Sequence, residues 1–194
     1  MFQGALYDFE ALKSSYEHLF LDKIDTQMLK IDTLRGICTA SAALRLHKRF
    51  TLKAIKTKTT STENYTFNVF RVGRGVLRLR KIPKANRFSI EIYALAQNYK
   101  LTQSQQKQHK QLLKYLLTKK SFNFTQADVC LDTTQLLKTQ KAHKTKQYKG
   151  TNYLDFGEAG QLCIYNKAIK DRQRNMKCPA QYGILRYEAT LKLS

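Results

Sequence analysis

"TFNVFRVGRGVLRLRKI", residues 66–82, is the stretch on which the reading of the fold turns. Two runs alternating apolar with polar or basic residues flank Gly73-Arg74-Gly75, the pattern of two antiparallel strands joined by a tight turn. Side chains repeat every second residue in a strand, so Arg78 and Arg80 share one face while Leu79 and the core take the other. After the "PKAN" break, "RFSIEIYAL" (87–95) reads as a further strand. Upstream, "AALRLHKRFTLKAIKTK" (42–58) also alternates apolar and basic residues, and "TSTENY" (60–65) supplies a polar turn. Residues 27–95 therefore read as strands.

Helices frame this region. "YDFEALKSSYEHLFL" (7–21) has apolar residues at helical spacing. "LTQSQQKQHKQLLKYLLTKK" (101–120) is the clearest helix: Thr102 or Ser104 can cap it, Leu112, Leu113, Leu116 and Leu117 form its apolar stripe, and lysines crowd its C-terminal end. "FNFTQADVCLD" (122–132) follows as a strand, and 138–150 is a basic hairpin or loop. "NYLDF", the turn "GEAG" and "QLCIYNK" predict a second hairpin, "AIKDRQRNM" (168–176) a short basic helix, and "YGILRYEATLKL" (182–193) a final strand. The expected fold is α+β, a mainly antiparallel sheet with a few packed helices, in one domain spanning 1–194.

Composition narrows the partners. Lys and Arg number 35 against 14 for Asp and Glu, a net charge of +21, spread along the whole chain. A folded body this positive repels itself, which makes a polyanion, above all nucleic acid, the expected partner. The plain alternatives are a merely basic protein or one adapted to a membrane surface. No apolar run approaches the ~20 residues that span a bilayer, and the first residues lack the order of a signal peptide, so no membrane partner and a cytoplasmic location are expected. Cys38, Cys130, Cys163 and Cys178 show no CxxC spacing and read as reduced core residues. The four histidines form no His-x-His pair, which removes the raw material of a histidine-based DNA-nicking site.

With so few acids, one inside an apolar strand stands out: Glu91, Asp128 with Asp132, and Glu188. Ordinary ion pairing with Lys or Arg explains any one of them. Three strands each carrying such an acid raise a second possibility, a shared site for Mg²⁺ or Mn²⁺, hard ions that prefer oxygen. Tyr165 and Lys167 close the apolar run "LCIYNK", and share a face if the strand runs through both. A tyrosine beside such a metal and next to DNA can attack a phosphodiester, leaving a phosphotyrosine and a free hydroxyl. Lys167 could hold a phosphate oxygen or favour the phenolate.

The order "SIEIY", helix, "QADVCLD", "LCIYNK", "LRYEATLK" resembles the rolling-circle replication initiators of small Gram-positive plasmids, a family that includes tyrosine relaxases of some conjugative elements. The resemblance runs from about residue 76 to the C-terminus. It implies Tyr165 as the nicking tyrosine, Asp128 as a metal-site aspartate, and Glu91, Asp132 and Glu188 at the other acid positions, with Arg186 before the last. Gln126 and Leu185 stand where the family has arginine and tryptophan, and the chain stops where family members continue.

The expected function is metal-dependent nicking and joining of DNA, initiating rolling-circle replication or mobilisation. Phosphate contacts fall to Arg78, Arg80, Lys144, Lys146, Lys149, Lys170, Arg172, Arg174 and Arg186, with Tyr165 and Lys167 catalytic. Expected partners are single-stranded or melted origin DNA, a helicase and a second copy of the chain. The rival is a non-catalytic DNA- or RNA-binding module whose tyrosines stack on bases and whose acids make structural ion pairs.

Overall fold

The two strands expected within 66–82 form and pair antiparallel: β3 (Thr66–Val72) and β4 (Gly75–Lys81), with Val72 opposite Gly75 and Phe67 opposite Arg80. The computed structural model describes residues 3–50, 53–59, 66–72, 75–82, 85–93, 102–118, 121–173 and 180–193. The polar turn 60–65, the central turn residues Gly73 and Arg74, Cys178 and the phosphate-binding candidate Arg174 lie outside them. Within the described residues the fold is α+β, with every strand pairing whose register is defined antiparallel. The chain divides into two compact units, one built mainly on Asp32–Ala127, the other on Leu6–Ile31 and Asp128–Lys192.

In the first unit β4 pairs with β5 (Arg87–Tyr93), and β5 with β1 (Lys30–Thr39), while β2 (Lys53–Thr59) lies on the far side of β3. The register sets Leu77 against Ile92 and Leu79 against Ile90, all four buried, each contributing about 1.5–3 kcal/mol. The opposite face carries Arg78 against Glu91, and Arg35 of β1 against the same glutamate. Gly36 of β1 meets strand β6 (Phe122–Thr133) backbone to backbone: a Cβ there would sit 2.1 Å from the Asn123 carbonyl oxygen.

One expected strand is a helix. Residues 40–50 form α2 (Ala40–Phe50), capped by Thr39, whose hydroxyl accepts from the Ala42 amide at 3.2 Å. Ala42, Ala43 and Leu46 are buried at helical spacing while Leu44 is exposed, so the apparent alternation of Leu44, Arg45 and Leu46 is not what packs. The helix expected at 101–120 is α3 (Gln103–Thr118), with Thr102 at its N-cap position; Leu112 and Leu116 are buried, Leu117 is exposed, and Tyr115 stacks edge-on to Phe50 and Phe122.

The second unit orders its strands β6-β10-β9-β8-β7, where β7 is Lys144–Tyr148, β8 Thr151–Asp155, β9 Gln161–Asn166 and β10 Leu185–Lys192. Of the hairpin or loop expected at 138–150, the hairpin is what forms, β7 turning back into β8. Lys149 and Gly150 both have positive φ (46° and 71°), the two-residue turn that follows the twist of a hairpin. Helix α1 (Gln3–Glu17) ends earlier than the periodicity predicts. Past it, Leu19 and Leu21 exchange backbone bonds with Gln140 and Lys138. Tyr16, Phe20 and Tyr187 stack in series, with centroids 5.2 and 5.7 Å apart, and the Tyr16 hydroxyl donates to the Tyr187 carbonyl at 2.8 Å. No helix among the described residues is long and apolar enough to cross a membrane.

Candidate functional site

Cross-strand partners share a face, so the registers of the second unit lay out rows of side chains. One row runs Tyr148, Thr151, Tyr165, Arg186; the next runs Lys146, Tyr153, Cys163, Glu188. The diagonal between them brings the Tyr165 hydroxyl to the Glu188 carboxylate, donating to Oε2 at 2.9 Å. Asp128 reaches the same face from β6, its Oδ1 accepting from the Thr190 hydroxyl at 2.8 Å. Cys163 registers this concentration of charge: burial, then Glu188 and Asp128, push its thiol up to about 11, while Lys170 pulls the other way.

Strand β9 stops at Asn166, whose side-chain oxygen accepts from the Ile169 amide at 3.1 Å and caps α4 (Lys167–Gln173). Lys167 therefore begins a helix and leaves the strand face of Tyr165, contrary to the reading that ran one strand through both. Its ammonium is buried against Asp171, one helical turn on, whose other oxygen accepts from the Ala180 amide at 3.0 Å. Lys167 braces α4 through Asp171 and is not the cation beside the tyrosine. Lys170 holds that place, its Nζ 5.3 Å from the centre of the Tyr165 ring and 3.3 Å from the Thr151 hydroxyl. An i, i+4 Lys-Asp pair on a predicted helix was the signal that could have reassigned Lys167.

The acids separate into two kinds. Asp132 takes both Nε and Nη2 of Arg186, at 2.6 and 2.7 Å, a bidentate fork. Burial works against the guanidinium charge, but Asp132 more than offsets it and the pKa of Arg186 is raised. Arg186 is fully buried, so the expectation that it grips DNA phosphate gives way to a structural role. Glu91, in the first unit, accepts from Arg35 at 3.1 Å and from Arg78 at 2.8 Å. For Asp132 and Glu91 ion pairing, the plain alternative, is what the structure holds.

Asp128 and Glu188 remain as oxygen donors on one face. Among the described residues no three His, Cys, Asp or Glu side chains come close enough to hold a metal ion. Two carboxylates nonetheless fit Mg²⁺ or Mn²⁺, since Mg²⁺ commonly takes one or two carboxylates and completes its shell with water and phosphate oxygens.

Of the other basic candidates, Arg80, Lys144, Lys146, Lys149 and Arg172 are exposed and Arg78 and Lys170 half-buried. Arg172 lies over the exposed Tyr182 ring at 3.8 Å. The sequence reading passed over Thr151 and Thr190, because only the register shows which hydroxyl meets which charge. Compared with models of known protein families and with curated proteins, the chain matches none.

Proposed function

We propose that this chain nicks and rejoins DNA through Tyr165, as a rolling-circle replication initiator or mobilisation protein working in the cytoplasm. The observation that carries the reading is the Tyr165 hydroxyl donating to Glu188 at 2.9 Å with the Lys170 ammonium over the ring. A phenol of ordinary pKa ~10 is scarcely ionised at neutral pH, so a nucleophilic tyrosine needs a base within hydrogen-bond reach. Glu188 is that base. Tyr165 Oη bonds to phosphorus as its proton passes to Glu188; the bond from phosphorus to one sugar oxygen breaks, and that oxygen takes a proton from water and leaves as a hydroxyl. Lys170 faces the negative charge that the phosphate brings. Asp128 and Glu188 would hold Mg²⁺ or Mn²⁺, which supplies charge neutralisation at the phosphate. The segment order shared with the plasmid initiators supports the same reading, in which a melted origin or a helicase presents the unpaired strand and a second copy of the chain can take part.

One observation favours the binding-module rival: Tyr165 is only 7% exposed. A single experiment separates the two. The protein is incubated with single-stranded and supercoiled DNA and Mn²⁺, and a denaturant-resistant protein–DNA adduct is sought. Nicking predicts an adduct that Tyr165→Phe abolishes and Tyr153→Phe retains. Lys170→Met slows it about tenfold or more, whereas Lys167→Met chiefly lowers the melting temperature. DNA binding without any wild-type adduct would leave the module.

A further inference from the structure

The face that carries Tyr165 continues outward to an edge that the nicking chemistry does not use. Strand β7 has all five residues exposed. Its Lys144, Lys146 and Tyr148 alternate onto the face of Tyr165, opposite Asp155, Tyr153 and Thr151. Tyr148 is 54% exposed and Tyr153 37%, two large rings open to solvent on neighbouring strands. The Lys149 ammonium lies 5.1 Å from the centre of the Tyr148 ring. A hollow of about 510 Å³ is lined by Lys144, Lys146, Tyr148 and Tyr153 of this face together with Thr145, Leu154 and Leu162 of the alternate positions. Tyr148 and Tyr165 stand in one row two strand spacings apart, about 10 Å.

An exposed edge strand invites another strand, but lysines along it oppose that pairing and welcome a polyanion. Exposed rings interleaved with lysines are what an unpaired nucleic-acid strand needs: bases stack on the rings and phosphates meet the ammonium groups, with little dependence on sequence. Duplex DNA keeps its bases stacked inside and has no use for the rings. Asp155, the one acid of the hollow, faces Lys144 and its Oδ1 accepts from the Gly157 amide at 2.9 Å, so its charge is engaged at the far end of the row.

We infer that the β7–β8 hairpin is a stacking platform for single-stranded DNA, with Tyr148 and Tyr153 as the base-stacking rings and Lys144, Lys146 and Lys149 as the phosphate contacts. That the strand continues from this platform toward Tyr165 rests on the nicking reading; the binding itself does not.

The test measures fluorescence anisotropy of labelled oligothymidylate, oligouridylate and a duplex, with full-length protein and no metal, over a range of salt. Tyr148→Ala and Tyr153→Ala are each expected to weaken oligothymidylate binding roughly tenfold, leaving duplex affinity and the melting temperature unchanged, while the Phe variants bind as wild type. Lys146→Gln should flatten the slope of log K against log salt by about 0.7 on the single strand. Unchanged binding by both Ala variants, an equal loss on the duplex, or tighter binding of oligouridylate than of oligothymidylate would overturn the platform. A persisting adduct from Tyr165→Phe sinks the nicking reading and leaves the platform standing, and normal binding by the Ala variants does the reverse.

Discussion

Replacing Arg186 with methionine keeps most of the buried stem and removes the guanidinium that Asp132 grips through two hydrogen bonds of 2.6 and 2.7 Å. Breaking a buried pair from one side costs about 3–5 kcal/mol, because the remaining charge stays where water cannot reach it. Here the two sides differ. The Asp132 side chain is 21% exposed and Arg186 is not exposed at all, so water can reach the aspartate once its partner is gone. Arg186→Met should therefore fall at the lower end, about 3 kcal/mol, and Asp132→Asn, which takes the opposing charge away from the buried guanidinium, should cost at least as much. For a chain of this size 3 kcal/mol lowers the melting temperature by roughly 6–12 °C. Removing both charges together, as Arg186→Met with Asp132→Leu, should recover much of the loss. Urea unfolding followed by circular dichroism at neutral pH measures all four proteins. Stability within about 0.5 kcal/mol of wild type for Arg186→Met would refute the reasoning. If that variant also lost DNA affinity with a flatter salt dependence, Arg186 would be a phosphate contact after all.

Two further outcomes follow from the first unit. Gly36→Ala places a methyl 2.1 Å from the Asn123 carbonyl oxygen and 2.6 Å from the Phe124 Cα, backbone that cannot yield without parting strands. A loss of more than about 4 kcal/mol is expected, seen as a protein without cooperative melting, and a variant melting within a degree or two of wild type would refute it. Cys38 is pushed up from 9.0 to about 11 by burial, so the fold holds the thiol and the unfolded chain ionises first. Stability should therefore fall as pH rises from 9 to 11, because the native state binds the extra proton there. Cys38→Ala should show a shallower fall in urea titrations at pH 8 and pH 10.5, and an equal fall would remove Cys38 as a cause.

What the sequence made legible is what local spacing encodes. The hairpin of 66–82 could be read because alternation and a Gly-flanked turn agree, and α3 because its leucines fall three and four apart. Helix α2 was missed because Leu44 and Leu46 mimic alternation, although Thr39 ahead of an alanine-rich run carried the capping signal. At the site, the nomination of Tyr165 rested on its place at the end of an apolar strand and on the resemblance, and its bond to Glu188 gives that nomination a chemical partner. The acids were visible but their partners were not. Asp132 and Arg186 are 54 residues apart, Asp128 and Thr190 62, and Glu91 and Arg35 56, separations at which only the folded register decides who pairs. Lys167 misled for a smaller reason: a single Asn cap turns the chain from strand to helix between it and the tyrosine.

The bond from the Tyr16 hydroxyl to the Tyr187 carbonyl joins residues 171 positions apart, and the Phe20–Thr139 bridge joins the same two stretches of the second unit. Between them the ribosome must make the whole of Asp32–Ala127, which belongs to the other unit. At roughly 5–20 residues per second, Tyr16 waits on the order of ten seconds or more for Tyr187 to be made. During that wait Tyr16 and Phe20, both buried in the finished molecule, lack the Tyr187 of β10 against which they pack. The nascent N-terminal segment is thus a natural client for a chaperone, while the unit of Asp32–Ala127 can begin to close first.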